Sequence, residues 1–204
     1  KDNQKMNSWG NRLNSLTTYA LTVIGVATIA LAATSLFLTQ PPSSIQAKIY
    51  NIQPVKVTTQ MFTRNDLASF RFSFKADLRP VFHWNVKQVF VYITAHYEST
   101  NSKDGFKLNE EVIWDKIVQA DDDHVLDLKN VNNKYPLIDF GNGLRGAKVT
   151  FKINWDITPY SGKIFSQTVP ETANITLPQR YKTASQSEDF LTYDDLYPRE
   201  FGSW

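Results

Sequence analysis

Lys148-Val149-Thr150-Phe151-Lys152-Ile153-Asn154-Trp155-Asp156-Ile157 alternates polar and apolar side chains without a break. A strand sends successive side chains to opposite faces, so this segment has one face for a core and one for water. The same alternation runs upstream through 68–78. There Phe70, Phe72, Phe74, Ala76 and Leu78 interleave with Ser69, Arg71, Ser73, Lys75 and Asp77. Between the two lies Gln88-Val-Phe-Val-Tyr-Ile-Thr-Ala-His-Tyr97, apolar on both faces, which predicts a central strand covered on both sides.

Weaker strand patterns occupy 45–58, 111–119, 123–128 and 164–170. Turn-forming clusters separate the runs: Asn101-Ser-Lys-Asp-Gly105, Asp121-Asp-Asp123, Gly141-Asn-Gly143 and Pro159-Tyr-Ser-Gly162. Strands at this spacing, with no amphipathic helix beyond about three turns between them, predict an antiparallel β-sandwich over 45–181. No internal repeat is evident.

The sandwich hangs from a different kind of segment. Residues 16–38 carry no charged side chain. As a helix they reach roughly 35 Å, enough to cross a hydrocarbon core of about 30 Å. A cleavable signal sequence has a shorter apolar stretch before a small-x-small site. Ala30-x-Ala32 imitates that site, but the apolar run continues through Leu36-Phe37-Leu38, so the segment reads as a retained signal-anchor. The fold class is therefore mainly β, with one N-terminal transmembrane helix.

Lys1, Lys5 and Arg12 precede the run, and no Lys or Arg follows it until Lys48. The positive-inside rule then makes 1–15 a cytosolic tip and carries the rest across the membrane, as a single-pass type II protein. Residues 39–44, with Pro41-Pro42-Ser43-Ser44, read as a linker. Residues 182–204 read as a polar, acidic extension. Thr18, Thr22, Gly25, Thr28, Ala32 and Ser35 are spaced three or four apart, which lines small residues along one helical face where other helices can approach closely.

Of the 22 basic and 20 acidic residues, 19 of each follow residue 15. A neutral domain with interspersed charge carries no nucleic-acid footprint. The chain has no cysteine, which excludes disulfides, thiol catalysis and cysteine-ligated metals.

Motifs that carry chemistry are sparse. Gly141-Asn-Gly143-Leu-Arg-Gly146 matches a dinucleotide fingerprint but precedes a strand, where the fingerprint requires a strand before it and a helix after it. Asp139-Phe140-Gly141 lacks the other kinase motifs, and Lys148 lacks the glycine of a phosphate loop. Asp121, Asp122, Asp123 and His124 lack the alternating ligands of a calcium loop and read as a solvated loop. No G-x-S-x-G elbow exists, and the histidines are three: His83, His96 and His124. A catalytic Ser-His-Asp set is recognised by geometry, so a membrane-tethered hydrolase stays open as an alternative at this point. A protein-binding module is the other. Asn174-Ile175-Thr176 is an N-glycosylation sequon.

The stretch from Ala76 to Tyr92, and above all Trp84-Asn-Val-Lys-Gln88, resembles the subunit 3 family of the eukaryotic signal peptidase complex. Two further blocks fit the family in the same order: Leu108-Asn-Glu-Glu-Val-Ile-Trp-Asp-Lys-Ile-Val118 and Asn133-Lys-Tyr-Pro-Leu-Ile-Asp-Phe-Gly-Asn-Gly-Leu-Arg-Gly146. The continuation from Val149 to Gly162 agrees, and the resemblance covers about residues 7–181. It implies an endoplasmic reticulum membrane protein with a lumenal domain. It also implies a non-catalytic accessory subunit whose catalytic serine lies on another subunit, so no catalytic residue, cofactor or metal is carried over. The implied partners are the catalytic subunit, the small membrane subunits, the lipid bilayer and, indirectly, nascent secretory chains. Some relatives carry a sequon just after the glycine turn; here Ala147-Lys148-Val149-Thr150 has none. Residues 1–5, before Met6, and 182–204 fall outside the resemblance.

Overall fold

The alternating segment at 148–157 sits at the heart of the larger of two sheets. The computed structural model describes residues 8–38, 46–59, 65–99, 108–140, 143–169 and 173–180. Among the described residues one helix, α1 (Trp9–Leu38), is followed by nine strands: β1 (Gln46–Thr59), β2 (Asp66–Asp77), β3 (Val86–Glu98), β4 (Leu108–Gln119), β5 (Val125–Asn132), β6 (Leu137–Asp139), β7 (Lys148–Pro159), β8 (Phe165–Thr168) and β9 (Ala173–Thr176). Every pairing among them is antiparallel.

One sheet has the order β1-β2-β5, with β6 also beside β2. The other runs β4-β3-β7-β8, with β9 also beside β7. The apolar set of β7 (Val149, Phe151, Ile153, Trp155, Ile157) and that of β2 (Phe70, Phe72, Phe74, Ala76) are all buried in one core. Phe70 meets Phe151 edge-to-face across the sheets at 5.1 Å, a geometry that aromatic quadrupoles favour. This is the expected sandwich.

β3 is central in its sheet, as expected, and its two faces are covered unequally. Val89, Val91, Ile93 and Ala95 are fully buried between the sheets. On the other face Phe90 and Tyr92 stack on each other at 5.2 Å and are half-buried, while Thr94 is 1% exposed. Two of the irregularities in the smaller sheet sit at asparagines. Asn51 (φ 54°) and Asn130 (φ 55°) take the left-handed conformation that Asn tolerates, and the pairing register slips beside each. Pro54 sits on β1, an edge strand, where a missing N–H does no harm.

The helix begins ahead of the apolar run. Ser8 caps it, accepting the Asn11 N–H at 3.2 Å, so the polar turn containing Arg12 is helical too. The hydroxyls of Thr17, Thr22 and Thr28 each donate to the carbonyl four residues back at 2.8 Å. Their polarity is thus spent inside the helix, as an apolar surrounding requires. Leu13, Leu16, Leu21, Ile24, Ile29, Leu36 and Phe37 are all exposed, so apolar side chains cover the helix on every side.

Strand direction divides the sandwich into two ends. β3 starts and β7 finishes at the end facing α1, together with the turn after β2. Asp66 and Asp139 pair at the opposite end.

Candidate functional site

The chain's most specific arrangement is the seam between α1 and the sandwich. Asn85, in the turn leading into β3, is 1% exposed. Its Nδ2 donates to Ser35 Oγ on α1 and to the Ser161 carbonyl at 2.8 Å. Its Oδ1 accepts the Ser161 N–H at 3.2 Å, and its own carbonyl accepts the Tyr160 N–H at 2.9 Å. Asn85 therefore ties two turns together because β3 and β7 are neighbours, with Val86 opposite Pro159. The Ser161 hydroxyl donates to the Thr28 carbonyl at 3.3 Å. Gly162, at φ 118°, faces Ala32 so closely that an added Cβ would lie 3.5 Å from its backbone and side chain. Only glycine takes that backbone without strain.

The small-residue face of the helix is thereby divided. Thr28, Ala32 and Ser35 meet the protein's own sandwich, and Ser35, at 2% exposed, is the most deeply covered residue of α1. Thr18, Thr22 and Gly25 lie further toward the N-terminus and are exposed. A Cβ added at Gly25 would meet nothing. The residues on the sandwich side of the seam were within reach of sequence reading, since Asn85 lies in the distinctive 84–88 block and Ser161 and Gly162 in the turn cluster at 159–162.

The three histidines make separate hydrogen bonds. His83 Nδ1 accepts the Asn85 N–H at 3.3 Å. His124 bonds the Ala120 carbonyl and stacks flat on Phe82 at 3.7 Å. His96 uses a single nitrogen, Nε2, toward both Thr94 Oγ1 at 2.9 Å and Glu110 at 3.4 Å. A relay needs the hydroxyl and the carboxylate on opposite ring nitrogens. Thr94 is moreover 1% exposed and also accepts from Asn154. Burial holds the His83 and His96 imidazoles below their ordinary pKa; at His96 Lys152 assists and Glu110 opposes.

The acidic loop is a turn device. Asp122 accepts the Gln119 N–H at 2.8 Å, and Asp123 that of Val125 at 3.0 Å, closing the link from β4 to β5. Among the described residues no group of three His, Asp or Glu side chains is placed to hold a metal ion. Gly141 and Asn142 lie outside the described residues, but Gly143 through Gly146 form turns that lead into β7. Gly143 donates its N–H to Asp139 at 2.9 Å, and the Tyr97 hydroxyl donates to the same carboxylate at 3.1 Å. Burial and the Asp139 charge raise the Tyr97 pKa. Asp139 thus pins the glycine turn at the end of the sandwich far from α1. Asn174 lies exposed on β9, with its Oδ1 accepting from Thr150 at 2.6 Å.

Comparison with known proteins gives this arrangement a context. A family model described as "Signal peptidase subunit" matches residues 6–180. A chicken protein named signal peptidase complex subunit 3 is 35% identical over 180 residues, covering 87% of this chain and 98% of its own. The human protein of the same name is 34% identical, covering 87% and 97%. The Drosophila melanogaster protein is 31% identical, covering 85% and 96%.

Proposed function

Because this chain belongs to the signal peptidase subunit family, and so serves in the signal peptidase complex of the endoplasmic reticulum membrane, we propose that it is a non-catalytic accessory subunit that holds the catalytic subunit's lumenal domain in place. The observation that carries this reading is the Asn85 seam. A scaffold must keep a fixed pose relative to the membrane, and a tether of flexible linker alone would not provide one. Here the helix is bonded directly to the sandwich at Ser35 and Thr28, so the domain and its anchor move together.

The exposed part of the small-residue face, Thr18, Thr22 and Gly25, is left for the neighbouring spans of the complex. The N-terminus stays cytosolic and the sandwich lumenal, on the bias of Lys1, Lys5 and Arg12. Nascent secretory chains are met indirectly, through the catalytic subunit.

The test is affinity purification of the full chain from mild detergent. The catalytic serine-type subunit is expected to co-purify, and preparations free of it would overturn the scaffold reading. Replacing His83, His96 and His124 with Asn is expected to leave signal peptide cleavage by the complex unchanged.

A further inference from the structure

The seam fixes how deep the sandwich sits. Arg12 is the only charged residue of α1, and Trp9 beside it is 85% exposed. Such a pair marks the level of the lipid headgroups on the N-terminal side. From Arg12 the helix climbs about 24 Å to Thr28 and about 30 Å to Ala32 at its rise per residue. The hydrocarbon core of a bilayer is about 30 Å thick. The turn that bonds Thr28 and packs on Ala32 therefore lies at the far edge of the hydrocarbon, on the sandwich's side of the membrane. Leu36 and Phe37 continue the exposed apolar surface of the helix beyond it.

The side chains at this level suit that position. Tyr160 is 66% exposed, Ile164 54% and Trp84 57%, and all three belong to the two turns that Asn85 ties together. Lys163, between Gly162 and Ile164, is exposed as well. Tyr and Trp combine an apolar ring with a polar tip, and Lys can extend its ammonium toward the headgroups, the usual composition of a membrane interface. The backbone is equally prepared. The N–H groups of Tyr160 and Ser161 and the Ser161 carbonyl are all bonded to Asn85, and the Ser161 hydroxyl is bonded to the helix. Irregular backbone survives beside lipid only when its polar groups are satisfied within the protein.

We propose that the 160–164 turn and Trp84 are seated in the phospholipid leaflet on the sandwich's side, as a second membrane contact beside α1. The occupant of this surface is lipid, because the surface is continuous with the helix and lies at the depth that the helix sets. The proposal does not depend on the scaffold role; it requires only that α1 cross a bilayer.

The absence of cysteine makes the test direct. Single substitutions Tyr160→Cys, Ile164→Cys and Trp84→Cys each receive a nitroxide label in the full chain, reconstituted in phosphatidylcholine nanodiscs. Phe140→Cys is the reference, since Phe140 is 77% exposed at the opposite end of the sandwich. Labels at 160, 164 and 84 are expected to show an oxygen-to-nickel-chelate accessibility ratio several-fold above that at 140. Ratios equal to the reference would put the turns in water and overturn the proposal. Shielding from both reagents would mean that protein, such as a second copy, covers the surface, and would overturn it too. Because three positions are read independently, a variant that loses its fold does not decide the outcome.

Discussion

Ser35 on the membrane helix and Asn85 in the sandwich, fifty positions apart, are hydrogen-bonded partners, and both are almost wholly buried. A buried carboxamide stabilises a structure only when its donors and acceptor are matched. At Asn85 they are, by Ser35 on one side and by both backbone groups of Ser161 on the other.

Asn85→Ala removes three hydrogen bonds at once and leaves Ser161 without two of its partners. At about 1 kcal/mol per bond the cost is about 2–4 kcal/mol. Ser35→Ala removes one of the three, for about 1 kcal/mol. Because the two residues share a bond, Ser35→Ala is expected to cost less in the Asn85→Ala background than alone, a coupling that a double-mutant cycle reads. Thermal unfolding of the full chain followed by near-ultraviolet circular dichroism gives the stability. Additive losses would show that the seam is not a unit.

The far end of the sandwich makes a different prediction. Gly143 has no room for a methyl group, since an added Cβ would run into the Ser99 side chain and lie 2.8 Å from Asp139 Oδ2. That carboxylate is the one that holds the turn through the Gly143 N–H. Gly143→Ala should therefore cost about 1–3 kcal/mol through overpacking, lowering the melting midpoint by about 2–4 °C for each kcal/mol. An unchanged midpoint would mean that the turn relaxes freely and that Asp139 does not constrain it.

What could be read from the sequence was what is local. Alternation in 68–78 and 148–157 depends only on the pleat, so β2 and β7 were legible along with the sandwich they imply. β6 and β9 were not, because three or four residues carry no period and are strands only by pairing with β2 and β7. The second face of β3 misled for a related reason. Phe90 and Tyr92 look like core residues in sequence, yet they are only half-buried and stack on each other. The small-residue face of α1 was legible as spacing, but that part of it meets the chain's own sandwich was not. This depends on Asn85 and Ser161 being brought together by the β3–β7 register.

Glu111 links this end of the fold to pH. Its carboxylate is half-buried and accepts the Ile138 N–H at 3.1 Å; burial, helped by the Asp139 charge, raises its pKa above 4.5. A raised folded-state value means that the native state holds its proton more tightly than the unfolded chain does. The stability from this group is full below 4.5 and lost as pH rises through the folded value. Glu111→Gln keeps an acceptor for Ile138 without the charge. It is expected to melt higher than the parent at neutral pH, with the gap closing at acid pH. Asp77 acts with the opposite sign. Its hydrogen bonds to Arg79 hold its pKa down to about 2, so its contribution fades only as pH falls from 3.8 through that value. On an exposed pair that contribution is small. A parent and variant that melt together at every pH would remove the role given to Glu111.

Orientation can be read from sugar. If the sandwich is lumenal, Asn174 is exposed to the glycosylation machinery, and Thr176 completes its sequon. Translation in the presence of microsomes should give a slower band that endoglycosidase collapses and that Asn174→Gln abolishes. Asn174 lies within a short strand and its oxygen is already bonded to Thr150, so an unmodified chain alone would report on access as much as on side. Lys148→Asn adds a second site to test. It creates an acceptor two residues before Thr150, at the exposed start of β7 beside the glycine turn. Modification of either form places residues 46–180 in the lumen. If neither Asn174 nor the Lys148→Asn variant is modified while α1 remains in the membrane, and protease added outside the microsomes digests the sandwich, the sandwich stays in the cytosol. The charge bias of Lys1, Lys5 and Arg12 would then not have set the topology.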